Sequence, residues 1–355
     1  MKVVVDISVT SLAAHPVGPQ SAWDAAWASP ITGTNPALVM DFAAGVYGSG
    51  GISAPMTSVL SLARNSDATR TDQAGTLELL GPDIARIDHD PNTFAPRGVL
   101  LEMPRTNLIA QSGTPANQSV AVTAVPYVLS FYGAGTVGLS NAHTATIIGA
   151  GSYPARTIVT FTPTAGNLDL TFAGDVFAPQ LEQGTEPSSY VPTAATSVQR
   201  EADVASVSLG PWFDASQGTL VLSGSLDGAV ANDRILELDT GATATRLSLL
   251  WNTVLGKPQF QVWDASVLQA AIAPAGNSIA LGDHFRVAMG FAANDFAISL
   301  NGSAVASDTS GSMPAGLTTL RLGRSIWGAQ GIMVCEGLTY YPTRLSDAEI
   351  QALSA

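Results

Sequence analysis

The clearest structural signal in the chain is the segment HFRVAMGFAANDFAISLNGSAVA at residues 284–306. Apolar residues alternate strictly from Phe285 to Phe291, which is the pattern of a strand with one buried face. A second alternating run, of Phe296, Ile298 and Leu300, follows, and Asn301-Gly302 separates it from a further run at residues 304–306. Asn-Gly between two such runs is a strong hairpin signal. The segment therefore predicts a strand followed by an antiparallel hairpin within a β-sheet protein.

Runs of the same kind extend through most of the chain. Residues 113–205 hold four short β-branched and aromatic runs, and Gly, Pro and Asn residues separate them. Short strands at such regular spacing are typical of a jelly roll or sandwich. Near the end, Ser346 and Glu349 have the spacing of a capping box, so a short helix should close the chain. Leu345 and Ile350 could form its hydrophobic staple.

The first third of the chain has weaker patterns. Trp23 and Trp27 would share one face of a short N-terminal helix, and five prolines interrupt residues 49–112. We therefore predict a mostly β protein, in which tandem antiparallel β-sandwich (jelly-roll) modules follow an irregular N-terminal attachment region. The predicted parts are an N-terminal arm (1–48), a loop-rich attachment region (49–112), a jelly-roll sandwich (113–205) and a larger concanavalin- or laminin-G-like sandwich (206–355).

Composition excludes several classes of function. The chain has 355 residues, a formal net charge of −13 and only two lysines. Nucleic-acid binding requires a basic surface for phosphate contacts, so no nucleic-acid partner is expected. No apolar run is long enough to insert into a membrane, and Asp6 interrupts the apolar start that would resemble a secretory signal. Cys335 is the only cysteine, which excludes an intramolecular disulfide.

Two stretches resemble tailed-bacteriophage virion proteins. The first comprises LARNSDATR at residues 62–70, IDHDP at 87–91 and RGVLLEMPRTNL at 97–108. The second runs from APQLEQG at residues 178–184 to SSYVPT at 188–193, and it resembles the end of a jelly-roll module in the same proteins. A third stretch, YYPTRLSDAE at 340–349, resembles the close of concanavalin-like and laminin-G-like domains.

The resemblance implies a structural virion protein, such as a tail fibre, head fibre or spike component. Such a protein is made in the cytoplasm of the host bacterium and exposed on the particle. Its partners would be other virion proteins, a homotrimer being the usual fibre form, and host-surface polysaccharide bound during adsorption. An alternative is a head or tail decoration protein that stabilises the virion without any glycan role.

Catalytic and metal-binding motifs are missing from the sequence. It contains no HExxH, GxSxG, GxGxxG or P-loop pattern in a suitable context. Asp88-His89-Asp90 has the composition of a metal site, but a polar turn before Pro91 is the favoured interpretation. We expect no enzyme activity, cofactor or metal. The less favoured alternative is a capsule depolymerase, an enzyme that needs two carboxylates in one cleft.

Glycan binding is the sharper functional hypothesis. Lectin sites combine an exposed aromatic ring with a few polar groups that orient sugar hydroxyls. The competing interpretation is that each tryptophan fills a sandwich core or a subunit interface. Trp327, beside Gly328, is the first choice for a platform, and exposure of its ring would favour the hypothesis. The candidate residues are Trp327, Trp251, Trp263, Asn252 and Trp212.

Overall fold

In the computed structural model, residues 34–229, 231–276 and 278–355 are described, and they form an almost entirely β protein, as predicted. The proposed helix around Trp23 and Trp27 lies outside these residues. No helix in the described ranges is long and apolar enough to cross a membrane. The elements are β1 (Leu38–Asp41), β2 (Val46–Ser49), β3 (Ile52–Ser53), α1 (Met56–Val59), β4 (Ser61–Ala63), β5 (Ala68–Thr71), β6 (Leu77–Leu80), β7 (Ile87–His89), β8 (Pro96–Glu102), β9 (Arg105–Asn107), β10 (Gln118–Val122), β11 (Tyr127–Tyr132), β12 (Thr136–Asn141), β13 (Ala145–Ile148), β14 (Thr157–Phe161), β15 (Gly166–Ala173), β16 (Phe177–Gln183), β17 (Val198–Arg200), β18 (Val204–Ser208), β19 (Gln217–Gly228), β20 (Arg234–Asp239), β21 (Arg246–Asn252), β22 (Lys257–Asp264), β23 (Val267–Ile272), β24 (His284–Ala292), β25 (Asp295–Leu300), β26 (Ala306–Asp308), β27 (Thr319–Leu322), β28 (Ile332–Tyr341) and α2 (Asp347–Leu353).

The two largest sheets form a sandwich. One has ten strands, eight of them in the order β26-β25-β24-β19-β28-β1-β2-β3, with β8 paired to β28 and β7 paired to β8. The other has seven strands in the order β23-β22-β21-β20-β27-β18-β4. Side chains from both sheets, such as Leu222 and Phe285 from the first and Leu249 and Val262 from the second, share one hydrophobic core.

The hairpin predicted around Asn301 is present, with a later second strand. The alternating residues from Phe285 to Phe291 are buried, as their spacing predicted. Asn301 and Gly302 both have positive φ, and the Ser303 N–H donates to the Leu300 carbonyl at 2.9 Å, which closes a type I′ turn. The second strand was expected at residues 304–306, but β26 pairs only from Ala306 onward.

The outer face of the ten-stranded sheet is covered by α2. The Ser346 hydroxyl accepts a hydrogen bond from the Glu349 N–H, and the Glu349 carboxylate accepts one from the Ser346 N–H at 2.8 Å. This is the predicted capping box. Leu345 and Ile350, the expected staple pair, are buried in one cluster with Ala288 of the sheet below.

The jelly-roll module has a separate core. A four-stranded sheet (β10-β15-β12-β13) packs on a three-stranded sheet (β14-β11-β16). Residues such as Leu129, Phe131 and Leu170 fill the space between them. Strands from residues 34–112, by contrast, belong largely to the large sandwich: β1 and β8 pair with β28, and β4 pairs with β18.

A buried ion network lies where these parts meet. It comprises Arg64, Arg86, Arg200, Glu102 and Asp203, all at most 1% exposed. Arg64 Nη1 lies 2.9 Å from Asp203 Oδ1, and Arg86 Nη1 lies 2.6 Å from Glu102 Oε2. Arg86 also pairs with Asp203, and Arg200 lies 3.5 Å from Glu102. Charges this deep are tolerated only when each has partners of opposite sign.

The buried ion network also fastens the jelly roll to the large sandwich. Glu102 accepts hydrogen bonds from the backbone N–H of Ser189 at 2.7 Å and from its hydroxyl at 2.6 Å. Burial raises the pKa of Glu102, but Arg200, Arg86 and Ser189 together lower it to about 2. Glu102 is therefore a charged carboxylate at neutral pH.

Candidate functional site

The seven-stranded sheet presents an unusual outer surface. Alternation along β21 and β22 turns Leu247, Leu249, Phe260 and Val262 into the core. The residues between them in each strand point outward, and most are polar or aromatic. The strand register sets them side by side: Arg246 opposite Trp263, Ser248 opposite Gln261, and Leu250 opposite Gln259. We call this surface the tryptophan face; its defining residues are Trp263, Trp327, Arg234, Arg246, Glu237, Gln259, Gln261 and Asn252.

Trp327 reaches this surface from the loop between β27 and β28. The loop is fastened by the Ile326 N–H, which donates to Glu237 Oε1 at 2.8 Å, and by the Ser325 N–H, which donates to the Ala329 carbonyl at 2.9 Å. Gly328, with φ of 94°, allows the sharp reversal after the ring. The Trp327 side chain is 48% exposed, so a large part of its ring is open to a ligand.

Two arginines hold the tryptophans in place. The Arg234 guanidinium lies 4.9 Å from the Trp327 ring centroid. The Arg246 guanidinium lies 5.1 Å from the same ring and 4.7 Å from that of Trp263. Cation–π contacts of this kind contribute about 0.5–2 kcal/mol each. The two rings are therefore joined through one shared cation and positioned before any ligand arrives.

Glu237 anchors the arginines from below. Its Oε2 lies 3.1 Å from Arg234 Nε and 3.9 Å from Arg246 Nε. Burial raises the pKa of Glu237, against the opposing effects of the Ile326 N–H and Arg234. Burial and the neighbouring Arg234 lower the pKa of Arg246. The carboxylate thus orders two closely spaced cations and the loop that carries Trp327.

A chain of amides extends the site along β22. The Trp263 indole N–H donates to Gln261 Oε1 at 3.0 Å, and the Gln261 amide donates to Gln259 Oε1 at 3.2 Å. Asn252 donates to the same Gln259 oxygen at 3.2 Å. Fixed amides beside an open aromatic ring can orient the hydroxyls of a bound molecule.

Three of the five predicted site residues meet on the tryptophan face: Trp327, Trp263 and Asn252. Trp251 was expected to be a ligand contact, and this expectation is corrected, because its side chain is 5% exposed and belongs to the hydrophobic core. Trp212 is half-buried and packs edge-on against Tyr340, with ring centroids 5.7 Å apart. It lies apart from the other three.

Sequence reasoning missed the arginines and glutamines of the tryptophan face. Strand alternation in the sequence could have identified residues that point to this face. In the run from Arg234 to Asp239, Glu237 and Asp239 alternate with core leucines, and in the run from Arg246 to Leu249, Arg246 and Ser248 do the same. Such a pattern assigns the polar members to the outer face of a sandwich sheet.

Several acidic residues near turns accept hydrogen bonds from other parts of the protein. Asp239 accepts a hydrogen bond from Arg321 at 2.6 Å, and Asp283 accepts one from the Ala280 N–H at 3.0 Å. Asp88 accepts one from the Thr71 N–H at 2.9 Å. Within residues 34–355, apart from 230 and 277, no group of three or more His, Cys, Asp or Glu side chains is arranged to hold a metal ion.

Comparisons with known proteins provide no family. No protein-family model matches the sequence, and no curated protein is significantly similar to it. Among solved structures, the CBM40 domain of the Ruminococcus gnavus IT-sialidase bound to α2,3 sialyllactose is 16% identical, with a TM-score of 0.36, over 40% of this chain and 84% of that chain. Domain 4 of AbnA, a GH43 arabinanase from Geobacillus stearothermophilus, in complex with arabinotriose, is 13% identical, with a TM-score of 0.33, over 43% of this chain and 73% of that chain. TM-scores this low do not establish a shared fold or role. The β-sandwich assignment follows from the strand pairing of this chain.

Proposed function

We propose that the protein binds host-surface glycan through the tryptophan face. The observation that carries this proposal is the half-exposed Trp327 side chain, which Arg234 and Arg246 hold in place, Arg246 also contacting the neighbouring Trp263 ring. An isolated exposed tryptophan would be unremarkable on a protein surface. An exposed ring fixed beside guanidinium and amide groups has the composition of a sugar-binding surface, with an apolar platform and oriented hydrogen-bond donors.

The biological setting that we propose is a bacteriophage particle. The support is the resemblance of residues 62–108 and 178–193 to tailed-phage virion proteins. In that setting the protein acts by binding, as a non-enzymatic fibre or spike component. Single lectin contacts are weak, and a trimer with several copies per particle would supply avidity.

Replacing Trp327 with alanine should weaken polysaccharide binding at least about tenfold, because the variant removes the apolar platform and leaves the strands intact. The measurement is binding of the purified protein to surface polysaccharides from a panel of bacteria, immobilised on a biosensor. The wild-type protein is expected to bind at least one of them.

Trp212→Phe serves as the control, because Trp212 lies away from the tryptophan face. Its replacement should leave binding unchanged. Equal binding by wild type and Trp327→Ala would contradict the proposed site. A wild-type protein that binds no polysaccharide would favour the decoration alternative. Shortening of a bound polysaccharide, measured by size-exclusion chromatography, would favour the depolymerase alternative over pure binding.

A further inference from the structure

A second candidate site, a concave one, lies at the junction of the three parts of the chain. Its volume is about 280 Å³. Residues of β5, β7 and β8 form one wall, the jelly roll forms another, and Asp227 and Ile332 of the large sandwich close it. We call it the inter-module cleft; the lining residues used below are Asp88, Arg97, Tyr132, Tyr153, Arg156 and Asp227.

Tyr132 is the unusual member of this lining. Its side chain is only 6% exposed, and its ring packs edge-on against Tyr153, with centroids 5.1 Å apart. Buried tyrosine hydroxyls normally have a hydrogen-bond partner. The Tyr132 hydroxyl has no hydrogen-bond partner among the described residues. Its oxygen is not fully enclosed by protein atoms. A nearly buried tyrosine whose hydroxyl is left unpaired at the cleft can form a hydrogen bond with a ligand there.

The groups around Tyr132 are already held in position. The Arg156 guanidinium donates to the Ser188 carbonyl and to the Ser130 hydroxyl, both at 2.8 Å, and lies 5.8 Å from the Tyr132 ring centroid. The Tyr153 hydroxyl lies 2.9 Å from Thr71 Oγ1. A ligand entering the cleft would therefore meet polar groups that need little reordering, which favours affinity.

The charges of the cleft cancel one another. Arg97 lies 3.1 Å from Asp88 and 2.9 Å from Asp227, so it bridges a carboxylate on each side. Of the charged groups in the lining, Arg70 is paired with Glu78 and Glu102 with Arg86, outside the cleft. The remaining groups are two arginines, Arg97 and Arg156, and two carboxylates, Asp88 and Asp227. A ligand with a net charge would face as many repelling groups as attracting groups. The cleft is therefore suited to an uncharged, polar ligand.

The volume restricts the ligand further. Sites for drug-sized molecules occupy about 300–1,000 Å³, and this cleft is at the lower limit of that range. One sugar ring has the required size and offers hydroxyls that both donate and accept. The half-buried ring of Tyr153 provides an apolar wall for the C–H groups of such a sugar.

We propose that the inter-module cleft binds one uncharged saccharide unit, with the Tyr132 hydroxyl as a direct hydrogen-bonding partner. The site shares no residue with the tryptophan face. It goes beyond the proposed function, since it assigns a ligand to the region that resembles the virion signature. A protein with both sites would contact a polysaccharide at two places.

Saturation-transfer NMR with six uncharged sugars tests this proposal. The sugars are glucose, galactose, mannose, rhamnose, N-acetylglucosamine and N-acetylgalactosamine. At least one should receive saturation from the wild-type protein. Tyr132→Phe, which removes only the unpaired hydroxyl, should weaken that binding about tenfold, the effect of losing one hydrogen bond. Its unfolding temperature should equal that of the wild type.

Two further variants separate this site from the tryptophan face. Tyr127→Phe is the matched control, because the Tyr127 hydroxyl bonds to Thr123 within the jelly roll, at 3.2 Å to its N–H, and it should bind the sugar like the wild type. Trp327→Ala removes the platform of the tryptophan face and shows whether the sugar binds there. The proposal is overturned if no sugar binds to the wild type, or if Tyr132→Phe binds as the wild type does. Loss of binding in Trp327→Ala alone would assign the sugar to the tryptophan face and overturn the cleft.

Discussion

Replacement of Arg86 by alanine is expected to lower the free energy of unfolding by about 3–5 kcal/mol, the effect of removing one partner from a buried ion pair. Arg86 is fully buried and pairs with both Glu102 and Asp203. Without it, two carboxylates would stay in the interior with less compensation. Urea denaturation followed by circular dichroism measures the difference.

Arg70→Ala is the control for this experiment. Arg70 pairs with Glu78 at 2.7 Å, but the Glu78 side chain is partly exposed, and such pairs contribute at most about 1 kcal/mol. The account of the buried ion network would fail if the two variants lost equal stability. It would also fail if Arg86→Ala unfolded at the wild-type urea concentration.

Replacement of Gly98 by alanine should be of comparable severity, on the order of 3 kcal/mol, because backbone strain and overpacking would act together. Gly98 has φ of 129°, a value that other residues rarely adopt. A Cβ atom there would lie 2.1 Å from the Cys335 carbonyl oxygen of the neighbouring strand β28. The expected result is separation of β8 from β28, detected as a lower thermal unfolding midpoint.

Gly45→Ala isolates the conformational part of that effect. Gly45 also has positive φ, 69°, but a Cβ there would meet nothing within 4 Å. We expect a loss of about 1 kcal/mol from the left-handed backbone alone. A Gly98→Ala variant no less stable than Gly45→Ala would show that the approach to Cys335 does not constrain the fold.

Local sequence patterns were sufficient for the strands and caps. The alternation from Phe285 to Phe291 and the capping box at Ser346 depend on residues close together in the chain, so the sequence alone predicts them. The buried ion network could not be predicted in this way. Arg64 and Asp203 are separated by 139 residues, and only the assembled sheets bring them together.

The candidate site was predicted in part. Trp327, the first choice for a platform, has a side chain that is 48% exposed, whereas Trp251 was selected by residue type and lies in the core. Strand parity contained the distinction. Arg246 and Ser248 point outward, so Trp251, at the opposite parity, points inward, and Trp263 opposes Arg246 across the strands. The stacking of Arg234 on Trp327 depends on a loop conformation that no local pattern specifies.

Fluorine NMR of protein containing 5-fluorotryptophan tests glycan binding by the tryptophan face most directly. Each resonance can be assigned by replacing one tryptophan at a time. When a polysaccharide that the protein binds is added, the resonances of Trp327 and Trp263 should shift. The resonance of the buried Trp251 should stay in place. Binding that leaves both the Trp327 and Trp263 resonances unmoved would contradict the account.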